Sequence, residues 1–213
     1  MIPVELPVLA AFIGASLLLV LSPGPDTMLI LRYTIGSGRT VGLATVAGVQ
    51  AGLATHTMAA VVGLSLLIAA TPAALQAIAV AGALYLAWLG WQSFRAGVLP
   101  LDSVAGATAV RPAKAFRDAL LTNVLNPKVV LLFLALMPQF LRENGWPVPM
   151  QLAFLGILLI LVNTIWQTTL ALLADGVRQW LGRPTVQRLV SWATGAVLVA
   201  FAVLMLRDFV LPA

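Results

Sequence analysis

The stretch VLSPGPDTM, Val20–Met28, puts two prolines, a glycine and an aspartate into an otherwise apolar run. Pro23 and Pro25 have no N–H to offer the carbonyls of Leu19 and Leu21, and each ring clashes with the preceding turn. A helix arriving from the N-terminal side therefore stops near Leu21. Pro25 suits the first turn of a new helix, whose opening amides, those of Asp26, Thr27 and Met28, point unpaired into the gap. The stretch reads as a helix that breaks, restarts and carries a charge at the break.

The rest of the chain sets the solvent in which this break must exist. Of 213 residues, 61% are hydrophobic and 9% charged, and the mean hydropathy is +1.03. An ordinary globular domain is roughly a quarter charged, and a water-soluble fold of this length cannot hide so much apolar surface. The chain is expected to be an all-α integral membrane protein. Six apolar runs have the length a membrane-crossing helix needs: 4–22 with an extension to 35, 41–69, 72–94, 115–141, 147–174 and 185–207. A five-span reading would merge or drop one run and move one terminus. A Gly-, Ser- and Pro-bearing segment, 96–113, separates halves at about 1–95 and 114–213 of a single transmembrane domain.

Charge gives orientation. Arg32, Arg39, Arg95, Arg111, Lys114, Arg117, Arg178, Arg183 and Arg188 fall on one side of the predicted spans, and Arg142 and Arg207 on the other. By the positive-inside rule the linker is cytoplasmic and both termini lie outside. The net charge of +5 thus reflects membrane orientation, and nucleic acid is not an expected partner. The absence of cysteine excludes disulfides, thiolate metal sites and thiol relays.

The break recurs. VLSP at Val20–Pro23 returns as VLNP at Val124–Pro127, 104 residues later, within the first span of the second half. Three spans per half is an odd number, so the second copy lies upside down relative to the first. The expected architecture is an inverted 3+3 repeat with a proline-broken first helix in each half, the pattern in which interrupted helices mark a transport site. Here Pro127 frees the carbonyl of Asn123, Asn126 can cap the restarted helix, and Lys128 lies in its first turn. Half-helix N-termini attract a carboxylate, while Asp26 and freed carbonyls can hold an ammonium group, so a zwitterion fits between the breaks. A charge at membrane depth costs at least about 2.5–3.5 kcal/mol, and Asp26 and Lys128 are expected to face a wet cavity or each other. A purely structural ion pair that locks the halves together is the competing reading.

Other polar residues sit within the apolar runs. Gln50, Asn163 and Gln167 read either as cavity-lining groups or as glue between helices. Ala44, Gly48, Gly52 and His56 recur at every fourth position, a small-residue stripe suited to close packing inside the bundle. His56 is the single histidine and, with Asp26, is a candidate for carrying a coupling proton, although a lone histidine is also an ordinary packing residue. No phosphate-binding loop, nucleotide fingerprint, metal-ligand cluster or nucleophile triad is present. The expected function is that of a secondary carrier, not an enzyme, with no cofactor and no metal.

The blocks SPGPDTMLILRYTIGSGRTVGLATVAGVQAGLATHTMAAVVGLS, GALYLAWLGWQSFR and NPKVVLLFLALMPQF resemble the LysE/RhtB family of bacterial amino-acid exporters, the lysine, arginine, homoserine and threonine efflux proteins. The resemblance spans nearly the whole chain. It implies a multi-pass protein of the bacterial inner membrane that exports amino acids or close derivatives, is driven by the proton gradient, and admits a homodimer. It assigns function to Pro23, Gly24, Pro25, Asp26, Asn126, Pro127 and Lys128; Thr27 and Asn123 join them by position. One intramembrane carboxylate opposed by one lysine favours neutral substrates over cationic ones. The alternatives are an exporter of a cationic solute, or a membrane partner or assembly protein that keeps the fold without transporting.

Overall fold

The computed structural model describes residues 6–21, 24–64, 72–95, 110–142, 146–174 and 183–210. Pro23, most of the linker and Arg178 lie outside the described residues. All regular elements among the described residues are helical: α1 (Leu6–Leu21), α2 (Pro25–Ser37), α3 (Arg39–Ala59), α4 (Pro72–Arg95), α5 (Pro112–Val124), α6 (Pro127–Leu131), α7 (Val148–Leu172) and α8 (Pro184–Val210). A π-helical turn, Ala60–Leu64, extends α3; another, Leu132–Leu136, followed by a 3₁₀ turn, Met137–Phe140, extends α6.

Both breaks stand where the prolines dictate. α1 ends at Leu21 and α2 begins at Pro25, with a bend of 54° between them; the segment ending at Val124 and the one beginning at Lys128 are bent by 56°. Three helices, Arg39–Gly63, Val148–Leu172 and Pro184–Leu204, are long and apolar enough to cross a membrane, and up to five spans result if each bent pair counts as one. The chain is a multi-pass helical membrane protein. The remaining run forms α4, whose 24 residues extend about 36 Å at 1.5 Å per residue.

Small residues bring these helices together. A Cβ on Gly48 would lie 2.2 Å from the carbonyl oxygen of Phe116, and one on Gly52 would lie 2.5 Å from Asn123 Oδ1. The Gly48/Gly52 stripe therefore packs α3 onto α5 inside the bundle, as the four-residue spacing predicts. Gly90 and Gly195 do the same for α4 against α8, where each glycine's missing Cβ faces the other's carbonyl at 2.9 and 2.8 Å. Between α2 and α3, Gly38 takes φ +87° and donates its N–H to Thr34 O. That backbone region disfavours any residue with a Cβ. Beneath these crossings lies an apolar core in which Phe12 meets Phe140 edge to face at 5.1 Å. Met58, Ile165 and Leu189 point outward, as lipid-facing residues do.

Gly52→Leu is expected to destabilise the protein by about 1–3 kcal/mol through overpacking, because the new side chain must displace Asn123. Gly14→Ala, where no atom lies within 4 Å of the added Cβ, is expected to be neutral or to stabilise by up to ~1 kcal/mol. Thermal unfolding of both variants in lipid nanodiscs checks the contrast. Equal midpoints would contradict the packing described.

Candidate functional site

Each break presents the start of a new helix to a common space. Gly24 is extended (φ −144°, ψ −175°) and its carbonyl accepts from Met28 N at 3.0 Å. Pro25 then occupies the first turn of α2, so its missing N–H costs nothing there, and Asp26 follows in the same turn. At the second break Asn126 caps α6: its side-chain oxygen accepts from Lys128 N at 3.1 Å, and its carbonyl accepts from Val129 N and Val130 N. That is the cap expected from an asparagine before a proline at the first helical position. Pro127 opens α6.

The two starts face a cavity of about 60 Å³, room for roughly four waters. Its polar lining comes from Gly24, Asp26, Thr27, Asn123, Asn126, Lys128, Asn163 and Gln167. Leu19, Leu53, Leu132 and Leu159 supply apolar wall. α3 and α7 close the sides: Leu53 projects from the first, and Leu159, Asn163 and Gln167 from successive turns of the second.

The hydrogen bonds inside this lining connect the chain halves. Lys128 Nζ donates to Leu19 O at 2.9 Å, and His56 Nε2 lies 3.3 Å from Asn123 O. Leu19 and Asn123 precede Pro23 and Pro127 by four residues and are themselves 104 residues apart, the offset between VLSP and VLNP. Both carbonyls thus meet a side-chain nitrogen from the other half, and the Asn123 carbonyl also accepts from Asn126 N at 3.0 Å. Asn123 also uses its side chain, donating Nδ2 to Asp26 Oδ2 at 2.9 Å. Asp26 Oδ1 and Asn123 Oδ1 are buried with no hydrogen-bond partner among the described residues.

Asp26 and Lys128 therefore line one cavity, one of the two arrangements expected of them, and the other, a direct ion pair between them, is not formed. The ion pair found among the described residues is Lys114–Asp118, outside the cavity. The physical reason is that the open carbonyl at the end of α1 carries that helix's negative dipole end, which attracts the lysine, while the Asn123 amide takes the carboxylate.

Of the remaining predicted residues, Gln50 stands behind the cavity wall. Its Nε2 donates to Gln167 Oε1 at 3.0 Å, and Asn163 Nδ2 reaches its Oε1 at 3.4 Å. Asn163 and Gln167 are thus both lining groups and helix-to-helix links. His56 faces away from the central cavity toward a second one of about 220 Å³, where its ring stacks on Phe133 with centroids 5.6 Å apart. Asn123 lies between: it touches Asp26 with its side chain and His56 with its backbone.

Sequence reading missed the apolar walls at Leu53, Leu132 and Leu159, which nothing in a continuous apolar run distinguishes from lipid-facing leucines. It also missed Tyr33, whose hydroxyl donates to Asp118 Oδ2 at 2.7 Å between α2 and α5. The i,i+4 spacing of Lys114 and Asp118 was the signal available for that cluster. Among the described residues no group of three or more metal-ligating side chains forms. With a carboxylate, an ammonium and several amides around a small, partly open cavity, the arrangement is suited to holding a small polar solute.

Residues 17–208 match the family described as LysE type translocator. An uncharacterized membrane protein of Bacillus subtilis, YrhP, is 34% identical over 203 residues, covering 92% of this chain and 96% of its own length. The homoserine/homoserine lactone efflux protein of Salmonella typhimurium is 32% identical, with 92% of this chain and 94% of that protein covered. The leucine efflux protein of Klebsiella pneumoniae is 28% identical, with 90% and 91% covered. No solved structure matches. A family match across the whole membrane domain, joined to relatives above 30% identity along almost their entire length, establishes that this chain belongs to the LysE family of membrane translocators.

Proposed function

We propose that this protein exports neutral amino acids or their close derivatives across the bacterial inner membrane as a proton-driven secondary carrier. The observation that carries the reading is the single cavity touching both helix restarts, with Asp26 on one and Lys128 on the other. A membrane assembly protein of the same fold has no need of a cavity that brings a carboxylate and an ammonium to that point. Relatives named as efflux proteins for homoserine and its lactone, and for leucine, point the same way.

The proposed architecture is six spans in two inverted halves, with α4 as the third span. Two features favour it. The proline breaks recur at one offset, and α3 packs on α7 as α4 packs on α8, the pairings that an inversion relating the halves maps onto themselves. Access alternates as one half rocks against the other around the cavity. Solute entering from the cytoplasm engages Asp26 through its ammonium and the α2 amides or Lys128 through its carboxylate, and so weakens the contacts that hold the halves in one state. Asp26, on the cavity, and His56, on the far side of Asn123, are the groups placed to exchange the coupling proton.

Two outcomes are expected. A thiol reagent that cannot cross the membrane should label Ser103→Cys in inside-out vesicles and leave it unlabelled in intact cells; labelling from outside the cell contradicts the orientation. In proteoliposomes with an imposed pH gradient, Asp26→Asn and Lys128→Ala should each lower leucine or homoserine flux by at least about tenfold, the first by removing the charge that faces the ammonium and the second by freeing the Leu19 carbonyl that Lys128 holds. The double variant should remain inactive. Flux near the wild-type level in Asp26→Asn/Lys128→Ala would show that the two charges serve only to balance each other.

A further inference from the structure

The two charged ends of the cavity are not equally ready for a solute. At the cation end, Lys128 already places Nζ 2.9 Å from Leu19 O, on a backbone carbonyl that has lost its helical donor to Pro23. At the acidic end, Asp26 Oδ1 and Asn123 Oδ1 are both buried and accept no hydrogen bond from the described residues. Asn123 is 1% exposed. The 2.9 Å bond from its Nδ2 to Asp26 Oδ2 fixes the amide beside the carboxylate, so both unmatched oxygens belong to one cluster. Gly52 faces Asn123 Oδ1 with no side chain; even a Cβ there would lie 2.5 Å away.

Buried acceptors without donors are costly. A carboxylate brings more acceptors and cannot relieve them. A primary ammonium brings three donors and a charge opposite to that of Asp26.

We propose, as an inference that rests on the transporter reading, that the cavity selects its solute by a primary ammonium group held at Asp26 Oδ1 and Asn123 Oδ1, and that a free carboxylate is dispensable. Asn123 then determines specificity: it positions Asp26 through one atom of its amide and receives the solute through the other. Amine-bearing solutes with a reduced, esterified or cyclised carboxyl group enter the same site as free amino acids. Acids whose nitrogen is acylated do not, because an amide nitrogen has one N–H and no charge.

Binding to the full-length protein in lipid nanodiscs tests this with three probes of one side chain: L-leucine, L-leucinol, which keeps the ammonium and lacks the carboxylate, and N-acetyl-L-leucine, which keeps the carboxylate and lacks the ammonium. Leucine and leucinol are expected to bind with Kd values within roughly threefold of each other, and N-acetyl-leucine at least roughly tenfold more weakly, the scale of one charge-assisted hydrogen bond. Asn123→Leu should weaken leucinol by about tenfold or more. Asp26→Asn should do the same, and is read alongside in case the first variant fails to fold. Failure of leucinol to bind where leucine binds overturns the inference, as does N-acetyl-leucine binding as tightly as leucine or the absence of binding by all three. Transport is scored separately. If the expected order of binding holds but labelled leucine does not cross proteoliposomes, the ammonium site stands and the transporter reading falls.

Discussion

In hydrocarbon an open backbone carbonyl has no water to turn to, and Pro23 opens one here, at Leu19, whereas the Asn123 carbonyl ahead of Pro127 is met within its own turn by Asn126 N at 3.0 Å. Each unmet group costs several kcal/mol in the absence of solvent. The donor that answers Leu19 is a side chain from the opposite half of the chain, Lys128 Nζ, and His56 Nε2, also from the opposite half, lies 3.3 Å from Asn123 O. Much else follows from this exchange. It draws a lysine to membrane depth, ties the end of α1 to the start of α6, brings α3 close against α5 through Gly48 and Gly52, and leaves a small polar space between the restarts in which Asp26 stands beside Asn123.

The same constraint gives a physical route for motion. A carbonyl held by a mobile side chain can be released if another donor takes its place, whereas one held inside a continuous helix cannot. A bound ammonium, a water or a displaced lysine are interchangeable donors at such a point. The longer helices α3, α4, α7 and α8, by contrast, run without a proline break. The π-helical turns that extend α3 and α6 flank the second cavity, beside His56, so irregular backbone gathers on both sides of Asn123.

Much of this was legible in the sequence, because proline and asparagine act locally. The end of α1 at Leu21, the start of α2 at Pro25, the Asn126 cap and the close packing of Gly48 and Gly52 all follow from rules spanning four residues. The partners chosen across the fold were not legible. That Lys128 would settle on Leu19 O in preference to Asp26, or that Gln50 would brace Asn163 and Gln167 from behind the wall, depends on helix crossings that no local pattern encodes. The apolar walls were hidden for a different reason: in a membrane protein leucines face lipid, core and cavity alike, so hydrophobicity no longer separates inside from outside. Span number stayed open between five and six for a related reason, since a broken helix divides one hydrophobic signal into two short ones.

The central claim, that the space between the two breaks is the solute's path, is most directly tested by reactivity at its wall. The chain contains no cysteine, so Leu53→Cys introduces a single thiol into the cavity lining without touching its polar groups. The account predicts that a small water-soluble thiol reagent modifies this position in proteoliposomes and that leucine or homoserine slows the modification in proportion to its occupancy. A thiol that transports normally yet reacts at the same rate with and without amino acid would place the path elsewhere and contradict the account.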